Sequence, residues 1–75
     1  MTGLTFIVFH QKGVPVSTKS TNIIDVFKAL KGKGALIVKE IGEDIEVDET
    51  PAQVHDALRA AGINVVTAGK ETSHE

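Results

Sequence analysis

Three histidines, a run of carboxylates and a lysine–glycine stretch are the groups best suited, by type, to proton transfer, cation binding or phosphate contact in this 75-residue chain. His10, His55 and His74 fall on a strand end, a helix and the tail, without metal-ligand spacing. His55 with Asp56 or Asp48 would make an acid–base pair, but a solitary histidine on a helix is far more often a surface residue. Asp44, Glu46, Asp48 and Glu49 lack the Asp-x-Asp-x-Asp-Gly frame and closing bidentate glutamate of a calcium loop. Alternate members of that run point to opposite faces of a strand, so it reads as a solvated face. Ser17, Thr18, Ser20 and Thr21 have no paired base, which removes support for nucleophilic catalysis. Lys31-Gly32-Lys33-Gly34 lacks the spacing of a phosphate-binding loop. No catalytic, cofactor-binding or metal-ligating residue is assigned, and no cofactor is expected. Lys28, Lys31 and Lys33 stand as a candidate nucleic-acid contact by charge alone. A sequence pI near 5.9, three phenylalanines and no Tyr or Trp weigh against that use, because stacking on bases is poorly supplied.

The charge is unevenly placed. Residues 1–39 carry six lysines against Asp25, a net of +5, and residues 40–75 carry nine acids against Arg59 and Lys70, a net of -7. Such a split gives either a bipolar surface or two halves that neutralise each other on folding, and the second reading is favoured. Cysteine is absent, which excludes thiolate chemistry and a disulfide framework. Met1 to Gly3 lacks the basic and apolar segments of a signal peptide, and no apolar run reaches membrane-spanning length. The expected location is the cytoplasm, or a particle assembled there.

These groups must be positioned by short β-branched runs and one helix, in a single α+β domain over residues 1–67 with a disordered tail over 68–75. Leu4 to His10 reads as a strand covered on both faces or central in a sheet, because nearly all of it is apolar. Gln11-Lys12-Gly13 turns the chain into Val14 to Thr18, where Pro15 demands an edge or a bulge. Ala35 to Glu40 and Asp44 to Asp48 make a hairpin turning at Ile41-Gly42-Glu43, with Ile45 and Val47 on one face and Glu46 on the other. Thr50 caps the helix that follows, Pro51 occupies its first turn, and Gln53 completes a capping box. Val54, Ala57, Leu58 and Ala61 form its apolar stripe and Gly62 ends it. Ile63 to Thr67 is available as a last strand.

Asn22 to Leu30 admits two readings. Ile23, Val26, Phe27 and Leu30 have helical spacing, and residues 26–31 echo Val54 to Arg59 at an offset of 28. A helix over 22–31 gives a ferredoxin-like βαββαβ fold, and the residue pattern taken alone leans towards it. A strand is supported by the β-branched run Ile23-Ile24-Asp25-Val26 and the flexible Lys31-Gly32-Lys33-Gly34 after it.

The frame Phe6-Ile7-Val8, Gly13, Val16, Asn22-Ile23 with Val26, Gly34 with Leu36 to Val38, then Gly42, Ile45, Val47 and Glu49-Thr50-Pro51 with Val54 resembles the FlbD-like family. That family comprises small proteins of flagellar and swarming operons, and many bacterial and phage chains look similar. The resemblance covers about residues 4–60 and departs at the loop 28–34 and after Gly62. It implies a small antiparallel β-meander of about five strands, the Asn22 segment among them, closed by one C-terminal α-helix, and it carries over no catalytic residue. On this basis a strand is expected at Asn22, and the function expected is a non-catalytic protein-interaction or assembly module of a bacterial or phage accessory protein. Its expected partner is a protein, with a second copy of itself among the candidates, and no membrane. The alternative is a weak nucleic-acid-binding regulator using the loop 28–34.

Overall fold

Short apolar, β-branched runs set the strands, and the computed structural model, which describes residues 4–68, pairs them into two antiparallel sheets. β1 (Phe6–Gln11) pairs with β2 (Val14–Lys19) through a two-residue turn. Both turn residues lie in the left-handed region, Lys12 at φ 50° and Gly13 at φ 83°, the combination whose twist matches the flanking strands. Among the described residues β2 pairs with β1 alone, so Pro15 withdraws no sheet bond that a further strand would need.

A 3-10 turn over Ser20–Asn22 separates this hairpin from the second sheet, ordered β3 (Ile23–Lys28), β4 (Ala35–Lys39) and β5 (Ile45–Val47). The Asn22 segment is therefore a strand, and the ferredoxin-like alternative is set aside. A helix would have gathered Ile23, Val26, Phe27 and Leu30 on one face; the strand divides them, leaving Phe27 and Leu30 53% and 92% exposed. As a strand, the segment instead sets Val26 opposite buried Ile37 and Lys28 opposite buried Ala35. A register shift between Ile23 and Asp25 leaves Ile24 exposed.

The helix α1 (Pro51–Ala60) begins as expected. The Thr50 hydroxyl accepts the Gln53 N–H at 3.2 Å, and the Gln53 side chain accepts the Thr50 N–H at 2.9 Å. Gly62, at φ 90°, follows the last turn. Val54 and Leu58 bury against Ile7, Phe9, Ala35, Ile37 and Val47, and Ile23, Val26, Ile45, Ala57 and Ala61 pack around them.

Two expectations are corrected. β1 is covered on one face only. Ile7 and Phe9 point into the core while Phe6 and Val8 stand more than half exposed, because the sheet holds just two strands and nothing packs on its outer side among the described residues. Ile63 to Thr67 is not a strand. Ile63 and Val65 pack onto the core without joining a sheet, and the Val65 carbonyl accepts the Arg59 Nε–H at 3.3 Å in place of a ladder bond. The tail from 69 onward, with His74, lies outside the described residues.

Candidate functional site

The turn between β1 and β2 meets the segment between β5 and α1, and the acids of that segment hold it. Asp48 is placed by the last residues of β5, and its two carboxylate oxygens accept the N–H of Lys12 at 2.9 Å and of Gly13 at 2.8 Å. These are the donors that two consecutive left-handed residues turn outward. In the other direction the Asp48 N–H donates to the His10 carbonyl at 2.6 Å. Glu49 Oε1 accepts the His10 backbone N–H at 3.0 Å, and Oε2 lies 2.6 Å from His10 Nδ1. With the proton on Nδ1, the imidazole donates to the carboxylate.

Both carboxylates are held below their usual range. For Asp48 the chief cause is the backbone N–H of Gly13, then that of Lys12. For Glu49 burial pushes the pKa up, but the His10 side-chain bond and the His10 backbone N–H together outweigh it. A carboxylate whose folded pKa is depressed contributes stability that is complete above its unfolded value and is lost as pH falls through the folded one. The melting temperature should therefore begin to drop as pH approaches 4.5, the ordinary Glu49 value, and keep dropping below 3.8, that of Asp48. The double variant Asp48→Asn with Glu49→Gln should melt lower at neutral pH and show a shallower acid limb. An acid limb as steep as that of the wild type would mean that other groups govern it.

His10–Glu49 spans 39 positions, and no spacing rule connects its members. The pairing weighed from the sequence, His55 with Asp56 or Asp48, does not form. Asp56 accepts from Arg59 Nη1 at 3.1 Å, and Asp48 is occupied by the turn. His55 instead borders a depression of about 380 Å³ between β3 and residues 63–66. Thr18 and Ser20 are buried, and the Thr18 hydroxyl has no partner among the described residues. Among the described residues, no hydroxyl is hydrogen-bonded to the His10–Glu49 pair for it to activate. Among the described residues, no three His, Asp or Glu side chains gather to hold a metal ion.

The lysine loop is built differently from its sequence reading. Ala29 is buried and its N–H donates to the Gly34 carbonyl at 3.0 Å, which pins the base and leaves Leu30, Lys31 and Lys33 exposed. Lys31 and Lys33 line a depression of about 580 Å³ with Gln11, Lys12, Glu46 and Asp48. Lys28 does not line it. The structure adds Lys12, which the sequence pattern missed because it lies on the distant β1–β2 turn, but it also adds two carboxylates. Most of the candidate basic contact thus sits in a mixed-charge setting.

No helix of the described residues is long and apolar enough to cross a membrane. No protein-family model, curated protein or solved structure matches this chain.

Proposed function

We propose that this chain is a non-catalytic protein-interaction and assembly module, a bacterial or phage accessory protein acting in the cytoplasm or in a particle assembled there, with copies of itself among its partners. The supporting observation is the apolar surface left on both sheets. Phe6 and Val8 occupy the outer face of the β1–β2 hairpin at 55% and 54% exposure, and Phe27 stands on the outer face of the second sheet opposite Leu36. Single exposed apolar residues are ordinary; neighbouring ones on an uncovered sheet face are characteristic of contact surfaces. The resemblance to small accessory chains without catalytic residues points the same way.

The test is mass in solution from low to high concentration and at several salt levels. The expected result is a mass rising with concentration above that of one 8.0 kDa chain. A single-chain mass at every concentration and salt level would overturn self-assembly.

The gathering of Lys12 beside Lys31 and Lys33 favours a second reading, a weak nucleic-acid-binding regulator. It requires that added DNA or RNA be retained, and that changing Lys28, Lys31 and Lys33 to Ala abolish the retention.

A further inference from the structure

Strand β4 joins two loops of opposite charge. At one end the loop 29–34 and the adjoining Lys28 carry three lysines and no acid, and the depression that Lys31 and Lys33 border also holds Lys12, Glu46 and Asp48, which lower but do not reverse the positive charge of the tip. At the other, residues 40–44 carry Glu40, Glu43 and Asp44. The ion pairs among the described residues are His10–Glu49 and Arg59–Asp56, so neither loop discharges the other. Five residues of strand hold the two about 16 Å apart, roughly twice the Debye length at physiological salt. Lys39 offsets part of the acidic end, its ammonium lying beside Gly42.

Each tip also presents one branched apolar side chain. Leu30 is 92% exposed among the lysines and Ile41 is 77% exposed among the acids. Both loops are held in place. The Ala29–Gly34 bond closes the base of the first. In the second, Asn22 Nδ2–H donates to the Ile41 carbonyl and Asn22 Oδ1 accepts the Ile41 N–H, each at 2.9 Å. Loops fixed before contact lose little further freedom on binding, and an apolar centre with a charged rim is the ordinary anatomy of an interface.

One flank of this sheet is engaged, the other is the unpaired edge of β3, and both ends are open. β5 is linked to β1 by the Asp48–His10 and Gln11–Glu46 bonds, and β3 lies against α1. We infer that copies of this chain associate head to tail, the lysine tip around Leu30 of one docking on the acidic tip around Ile41 of the next. The inference rests on the assembly reading above, names a second copy as the partner, and places that contact at the strand ends, apart from the exposed sheet faces. An end-on contact between two different tips is heterologous and extends into open chains or rings, whereas two antiparallel copies side by side would pair both tips at once in a two-fold dimer, and the mass tells these apart.

Two variants test it. One carries Lys28→Gln, Lys31→Gln, Lys33→Gln and Leu30→Ser; the other carries Glu40→Gln, Glu43→Gln, Asp44→Asn and Ile41→Ser. All eight side chains are exposed, and the Asp44→Asn change keeps an oxygen able to accept the Lys39 N–H, so both variants should melt like the wild type. The wild type should grow beyond two chains with concentration and shrink with salt. Each variant alone should associate about tenfold or more weakly, the summed effect of three exposed charge pairs and one apolar contact. Mixed in equal amounts, they retain one good tip each, and their mass should rise and stop at two chains. Wild-type assembly that stops at a dimer, that is unchanged in the variants, or that mixing fails to restore would overturn the head-to-tail contact while leaving the assembly reading in place. A wild type that stays a single chain throughout, or that gains mass only with added DNA, would overturn both.

Discussion

Gly34→Ala should strongly destabilise the fold. A Cβ at Gly34 would lie 1.8 Å from the Val47 carbonyl oxygen and 3.0 Å from its carbon, distances at which backbone must move. The atoms it meets are main chain, so no side-chain rotation relieves the overlap. Moving them would separate the lysine loop from β5 and pull on Val47, a core residue that also leads into Asp48 and the clamp on the first hairpin. Overpacking of a core typically costs about 1–3 kcal/mol, and a backbone overlap belongs at or above the upper end. A domain of this size is stable by about 4–11 kcal/mol at typical per-residue values, so the variant should be largely unfolded or melt far below the wild type. Circular dichroism and a thermal melt check it. A Gly34→Ala protein with wild-type stability would mean that the loop can retreat from β5 at no cost. Gly32, whose hypothetical Cβ meets nothing within 4 Å, is the control: Gly32→Ala should cost only the strain of its left-handed backbone, φ 84°.

Leu58→Ala should be the most damaging of the helix truncations. Leu58 is 7% exposed and belongs, with Val54, to the cluster that joins α1 to both sheets. Truncating a buried leucine removes transfer free energy and leaves a cavity, together about 2–5 kcal/mol. Here both sheets depend on the same contact. The β1–β2 hairpin has no third strand among the described residues, and its inward Ile7 and Phe9 are covered by the cluster that Leu58 completes. Loss of the helix side chain should therefore release the hairpin together with the second sheet, in one cooperative transition at a lower temperature. Denaturant unfolding followed by circular dichroism reads the change directly. A midpoint like that of the wild type would show that α1 does not close the core.

Much of this protein is decided by local chemistry. Thr50, Pro51 and Gln53 start a helix wherever that segment sits, because each satisfies or avoids an orphan N–H within three residues. Lys12-Gly13 and Gly42 turn the chain for equally local reasons, and Ile45 and Val47 face inward because a strand alternates. The Asn22 segment shows where this stops. Its helical spacing is real, but Val26 finds a ladder opposite Ile37, and a ladder partner 11 positions away cannot be read from a residue's own neighbours. The same holds for β1. Its apolar run looks fully buried, and only the absence of a third strand beside the hairpin, among the described residues, leaves Phe6 and Val8 in water.

The candidate sites divide in the same way. The lysines of loop 28–34 are visible in sequence because they are consecutive or nearly so, and their separation from the acids of loop 40–44 follows once Ala35 to Lys39 is a strand. The joining of His10 to Glu49, of Asp48 to the Lys12–Gly13 turn, and of Lys12 to the lysine loop is a product of tertiary structure. These contacts cross 35 to 39 positions for the hydrogen-bonded groups, and they exist because β1 and β5 lie side by side over one core. Sequence determines which elements form and which charges they carry, through forces that act over a few residues. Which of those charges meet is decided by the burial of Ile7, Phe9, Ile37, Val54 and Leu58 together, a condition that no short segment satisfies on its own.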